Sequence, residues 1–262
     1  MSDPRLPAET LDHIVDFLHD AKHALRNCCL VSKSWIPRTR KYLFADIRIQ
    51  TVQNLESWKE TFPDPLSSPA HYAKSLSVSC IHSITLADAE EGSWVRGFPR
   101  AVHLGLGGFG PLPSGRLRVT LPPLYWWTLI PFHGFSPTIK SLHMAFAFLF
   151  PQTLDFILSF PLLEDLTVTT YGVQPGEAGG SDWSSAFTQP SNSPTFTGSL
   201  ELYRGGVTGL APRLLSLPGG IHFRRLVLTC RVRWDLPLTT ALVEGCSRTL
   251  ESLDIACGLG WV

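Results

Sequence analysis

The chain has no charge excess of either sign. Its 22 lysines and arginines are balanced by 22 aspartates and glutamates. A nucleic-acid binder or a membrane-surface protein would carry a basic surplus, so neither kind of partner is expected. No apolar run is long enough to cross a bilayer as a helix; the most apolar stretch, Leu142 to Phe150, falls far short. The N-terminus carries Asp3, Pro4 and Arg5 with no apolar region behind them, so no signal peptide is expected. The six cysteines make no C-x-x-C pair, and no Cys/His set completes a zinc site. No N-x-S/T acceptor has permitted neighbours. These absences together favour a reducing compartment, cytoplasm or nucleus, with buried free thiols and no metal.

Catalytic signatures are missing too. There is no H-E-x-x-H, no G-x-S-x-G and no P-loop. Gly105-Leu106-Gly107-Gly108-Phe109-Gly110 does fit G-x-G-x-x-G after a predicted strand. A dinucleotide site also needs a helix opening at that loop and an acid about 20 residues on. Pro111, Pro113 and Gly115 oppose the helix, and Thr128-Leu129-Ile130-Pro131 supplies no acid. A tight loop is expected there, with no cofactor; a nucleotide-dependent enzyme is the weakest of three functional readings. Tyr125, Trp126 and Trp127 would suit base stacking only alongside a basic excess, so core or rim packing is expected. Arg38, Arg40 and Lys41 read as a solvated helix face.

What the chain does contain divides at about residue 50. In the first part, Leu11, Ile14, Val15 and Leu18 form one apolar stripe at helical spacing. Asp12, His13 and Asp16 fall on the other faces. Pro7 and Glu9 suit the helix start. A second helix is expected after Asp20 as N-cap, with Leu25, Cys28 and Cys29 inward. A third is expected to start at Ser34, with Trp35, Thr39 and Tyr42 on one face. A start at Ser32 would place a kink at Pro37. Three short helices make a very small core, and domains this small often lean on a partner.

Leu6-Pro7-Ala8-Glu9-Thr10-Leu11, then Ile14-Val15-Asp16-Phe17-Leu18, then Leu30-Val31-Ser32-Lys33-Ser34-Trp35 resemble the F-box over residues 5 to about 48. The resemblance implies docking on the Skp adaptor of cullin-based ubiquitin ligases. Carried over, the adaptor-facing candidates are Leu6, Pro7, Ile14, Leu18, Leu30, Val31 and Trp35. The pattern does not divide them between the interface and the module's own core. The phrasing of these blocks is similar to F-box proteins of mushroom-forming fungi.

From residue 51 on, segments of the form apolar-x-x-Leu-x-apolar recur. Aligned on their fourth positions they fall at 76, 102, 142, 166, 200, 226 and 253, with separations of 26, 40, 24, 34, 26 and 27. A period near 25, one strand and one return per unit, resembles leucine-rich repeats. The expected fold is therefore α/β: a three-helix module over residues 1–50, then an irregular repeat solenoid with a parallel sheet over residues 51–262. Residues 172–198, rich in Gly, Ser, Pro and Thr, read as a flexible insertion dispensable for folding. Leu117 to Leu121 could add an irregular strand. Return helices are expected over 152–159, 207–216 and 238–246. A repeat array needs a polar cap, and six residues after the last strand pattern are too few, so an incomplete C-terminal edge is expected.

Stacked in register, His103, His143, Thr167, Glu201, Val227 and Asp254 would share one column on the open face, the candidate target surface. The functional expectation is a non-catalytic substrate receptor of a Skp–cullin–F-box ubiquitin ligase, binding the adaptor at one end and an unknown target protein at the other. The alternative is a repeat-type interaction scaffold with no role in ubiquitination.

Overall fold

The computed structural model describes residues 7–64, 68–81, 94, 97–107, 126–135, 137–149, 151–173, 194, 196–230 and 235–257. Its framework is eight parallel strands in sequential order: β1 (Asp46–Ile49), β2 (Ser75–Val78), β3 (His103–Gly107), β4 (Ser141–Leu149), β5 (Asp165–Val173), β6 (Ser199–Arg204), β7 (Arg225–Cys230) and β8 (Ser252–Cys257). Apart from Val227 on β7, the strands largely alternate apolar with small or polar residues, so one face can be buried and the other left open. Parallel neighbours joined in sequence by right-handed connections return on one side of the sheet. The burial pattern obeys this. Leu76, Leu104, Leu142, Leu166, Leu200 and Leu226 stack in register and are all buried. Val78, Leu106, Met144, Val168, Leu202 and Leu228 form a second buried row.

The returns cover these rows. They include α4 (Val52–Thr61), closed by a capping box between Thr51 and Asn54, and 3-10 turns at Pro69–Tyr72 and Trp126–Leu129. The turn at Trp126–Leu129 leads into the short α5 (Ile130–His133). After it come α6 (Pro151–Leu158), α7 (Gly206–Leu215) and α8 (Asp235–Gly245), each within a few residues of its expected place. Phe98, Phe132, Phe156, Phe160, Phe196 and Phe223 fill the space between strands and returns. Burying a large apolar side chain contributes roughly 1.5–3 kcal/mol, so these rows are the main source of stability.

A second device locks each turn to the next. The carbonyl just ahead of each strand accepts from amides of the following turn, at Ala45, Lys74, Val102, Lys140, Glu164, Gly198 and Arg224. Side chains in this column pair as well: Lys140 Nζ donates to Glu164 Oε1 at 2.8 Å, and Arg224 lies 3.8 Å from Glu251. Gly198 is required here, since a Cβ would sit 2.9 Å from the Glu164 carbonyl and against the Asp165 carboxylate. That carboxylate is already engaged, accepting from the Ser199 amide and hydroxyl at 2.7 and 2.8 Å.

Register corrects the repeat alignment. Leu104, not Val102, pairs with Leu76 and Leu142, and Val102 belongs to the column ahead of the strands. A slip of two residues keeps every side chain on its face, so apolar alternation alone could not exclude it. Ile47 also joins the row, pairing with Leu76. The first strand therefore lies inside the segment assigned to the helical module, and the sheet begins at Asp46 instead of after residue 50. The aligned positions 47, 76, 104, 142, 166, 200, 226 and 253 are then 29, 28, 38, 24, 34, 26 and 27 residues apart. Leu117 to Leu121 lies outside the described residues.

The 172–198 segment also needs correction at both ends. Gly172 and Val173 pair with Phe148 and Leu149 in the sheet. Phe196 is fully buried with its ring 5.1 Å from Phe223. Its φ of 44° is unusual for a bulky residue and is held by that burial. Apart from Pro194, residues 174–195 lie outside the described set.

The two edge strands differ. Ile47 and Ile49 on β1 are buried beneath α4, where Leu55 is buried as well. On β8 the equivalent Leu253 and Ile255 remain 45% and 40% exposed.

Candidate functional site

Two surfaces carry the side chains singled out from sequence. The first is the helical module: α1 (Ala8–Phe17), α2 (Lys22–Val31), a 3-10 turn (Lys33–Trp35) and α3 (Ile36–Leu43). Its core is small, with Val15, Leu25, Cys28 and Thr39 buried. Asp20 does not cap α2, whose N-cap Ala21 makes no side-chain bond. Ser32, not Ser34, caps the 3-10 turn, accepting from the Ser34 amide at 3.3 Å. The Ser32 start is accommodated because this turn leads into α3, which puts Pro37 in the first turn of α3.

Arg38, expected to be merely solvated, ties α3 to α1. Its Nε donates to Asp16 Oδ1 at 2.7 Å and its Nη1 to Asp12 Oδ2 at 2.9 Å, with a further Nη2 bond to Asp16. Tyr42 donates to the same Asp16 oxygen at 2.7 Å. These donors hold the Asp16 carboxyl far below the usual carboxylate range, Arg38 first and Tyr42 second. In turn the Asp16 carboxylate pushes the Tyr42 hydroxyl up. Helical periodicity places Asp12 and Asp16 away from the apolar stripe; it cannot show that a cation 22 residues on reaches them.

The adaptor candidates differ in exposure. Leu6 lies outside the described residues. Pro7 is exposed at the start of α1. Ile14 is 39% exposed, Leu30 87% and Val31 71%. Leu18 and Trp35 are half-buried, and the Trp35 carbonyl accepts from Thr39 Oγ1 at 2.7 Å. Phe17, within the F-box-like block though not among the carried-over adaptor candidates, is 86% exposed and stands three residues from Ile14, on the same side of the helix. Val15 from the same stripe is buried.

The second surface is the open face of the sheet. His143, Thr167, Glu201, Val227 and Asp254 do share one column, through successive register pairs. His103 does not belong to it: it pairs with Ser75 and Ser141 one column away, and Gly105 takes the place beside His143. The two-residue misalignment is the cause. Gly105 and Gly107 thus lie within β3 and not in a loop between strands; Gly108 to Gly110 lie outside the described residues. Val227 is buried despite its outward position, so it offers a target little area.

The face is zoned. Over β1–β4 a depression of about 380 Å³ is lined by Asp46, Arg48, Ser77, His103, Gly105 and His143, among others. Gly105 keeps it open, since a Cβ there would approach Ser77 Oγ to 3.1 Å. Arg48 pairs with Asp46 at 2.8 Å, which leaves this zone nearly neutral. Over β5–β8 the face turns acidic: Glu201 accepts from Thr167 at 3.4 Å and from Tyr203 at 3.1 Å. His143 joins the zones. It is exposed as a residue, yet the loss of water around its imidazole pushes its pKa down, and the Glu201 charge opposes this. At neutral pH it is a neutral hydrogen-bonding group.

All six cysteines are free, four of them buried. Burial pushes the Cys80 and Cys246 thiols up, which keeps them protonated. Among the described residues no group of three or more His, Cys, Asp or Glu could hold a metal ion, and no helix is long and apolar enough to cross a membrane. No family model matches this chain, and no curated protein or solved structure matches it.

Proposed function

We propose that the chain is a substrate receptor of a cullin-based ubiquitin ligase. Its helical module acts as an F-box that docks on a Skp-type adaptor, and its sheet acts as a leucine-rich-repeat-like solenoid that holds a target protein. The observation that carries this reading is the exposure of Ile14, Phe17, Leu30 and Val31 within the blocks that resemble the F-box. Large apolar groups left in water on so small a module favour a partner that covers them. The chain itself performs no chemistry in this reading. It binds at two ends and holds a fixed spacing between them, which raises the effective concentration of the target near the charged ubiquitin carrier. The open face supplies the target surface, with His143, Thr167, Glu201 and Asp254 as its shared column.

Co-expression with a Skp adaptor followed by size-exclusion chromatography is the test. The wild-type chain is expected to co-elute with the adaptor. Leu30→Asp with Phe17→Asp is expected to release it, because both side chains are exposed and the fold does not need them. A folded wild-type chain that elutes alone overturns the receptor reading. The same open face would then serve a repeat-type interaction scaffold without a ligase.

A further inference from the structure

Among the described residues the β1 strand lies at an edge of the sheet and pairs with β2 alone. In a parallel pair, alternate residues turn both of their main-chain groups toward the neighbour. The Ala45 carbonyl accepts from the Lys74 and Ser75 amides, and the Ile49 carbonyl accepts from the Ser79 amide. Alternation therefore turns the N–H and C=O of Arg48, with those of Asp46 and Gln50, away from β2. No main-chain partner meets them among the described residues.

Beside this edge runs a groove of about 520 Å³. One wall is β1 from Ile47 to Gln50; the other is a single face of α4, carrying Asn54, Ser57, Trp58 and Thr61, with Phe62 at its end. Trp58 and Phe62 are half-buried, their ring centroids 4.7 Å apart, and Trp58 stacks on the buried Phe98 at 5.8 Å. The groove thus joins a row of unpaired main-chain donors and acceptors to a fixed aromatic floor.

We propose that this groove binds an extended polypeptide segment of a partner protein, which joins the sheet as an additional strand beside β1. A strand is the occupant that satisfies free N–H and C=O groups at alternate positions. A small apolar molecule would cover Trp58 and leave the main-chain groups unpaired, and a helix has none to offer. With about 3.3 Å per residue, the four residues of β1 accept a segment of roughly four or five residues. One side chain of that segment faces Trp58 and Phe62 and is apolar. Its neighbours face the Asp46–Arg48 side and are polar. This site adjoins the open-face depression, sharing Arg48 and Gln50 with it, but does not depend on the proposed function.

The test uses the full chain. Amide exchange is measured first by NMR: the Arg48 and Gln50 amides exchange fast, while those of Ile47 and Ile49 are protected by the β2 ladder. Random heptapeptides displayed on phage are then selected on the protein, and a selected sequence is synthesised. It is expected to alternate apolar and polar residues and to protect the Arg48 amide on binding. Arg48→Pro removes an N–H that β2 does not use, together with the Arg48 side chain, and should weaken binding about tenfold. Ser57→Arg with Thr61→Arg narrows the groove from the helix side and should do the same. Arg48→Ala removes the same side chain but keeps the N–H, so it should weaken binding less than Arg48→Pro does. An Arg48 amide already protected in the isolated chain overturns the proposal, whether its cover is this chain or a second copy. So does a selection that yields no binder, or binders indifferent to both groove variants when circular dichroism shows those variants folded.

Discussion

Leu142 and Leu253 hold the same position in the inward row, yet the first is fully buried and the second 45% exposed. Position in the pattern therefore does not set the energy; what covers the side chain does. Leu142→Ala is expected to lower stability by about 2–5 kcal/mol through lost transfer energy and a residual cavity. Leu253→Ala is expected to cost about 1 kcal/mol or less, since much of that side chain never left water. Urea unfolding of the two variants checks the ordering. Asp16 gives a pH-dependent counterpart. Its folded pKa is depressed by Arg38 and Tyr42, so its contribution is complete above the unfolded value of about 4 and is lost as pH falls toward the folded value. The helical module should loosen on acidification below about pH 4, and Asp16→Asn should remove that dependence while loosening the module at neutral pH. The effect is expected to be small, because the network lies at the surface where water screens it. Chemical shifts of the Tyr42 ring, followed against pH in both proteins, report the change.

At the scale of elements, much of the fold was legible because strand and return impose different periods. The Leu-x-apolar segments fixed which residues face the core in β2 and β4 through β7, and the three later helices fell close to their expected places. Two kinds of information were not in the pattern. Register along a strand is invisible to a period of two, which displaced the alignment of β3 and moved His103 into the candidate column. Long-range polar pairing is equally invisible, which hid the clasp of Arg38 on Asp12 and Asp16. Composition misled at the edges of the Gly/Ser/Pro-rich segment, where Phe196 is core although its neighbours read as linker. The two regions therefore separate in a single experiment. Deleting residues 174–193 should leave the melting temperature nearly unchanged. Phe196→Ala should cost about 3–5 kcal/mol, the range for losing a buried aromatic. A large loss from the deletion itself would mean that the excised residues pack against the sheet.

At the scale of the whole molecule, sequential parallel strands place the described returns on one side and leave, among the described residues, an open face on the other. Such a face can hold a target without any pocket, because its outward columns repeat at the ~4.8 Å spacing of neighbouring strands and offer contacts along a line. The charge of this line is uneven. The neutral Ser, Gly and His zone over β1–β4 gives way to Glu201, Tyr203 and Asp254, and Arg225 stands on the neighbouring column. A target lying across the strands would meet hydrogen-bonding groups at one end and negative charge at the other. Glu201→Lys with Asp254→Lys reverses only the second zone. Neither side chain belongs to the buried rows, so the fold should persist, with the two hydroxyl bonds to Glu201 as the local loss. If the column is the target surface, capture of the target from native cell extract should fall on the order of tenfold, and chiefly through slower association that high salt masks. Adaptor co-elution should be unaffected, because the helical module is untouched. Unchanged capture would move the target site off this column, while loss of both interactions would mean that the variant had unfolded.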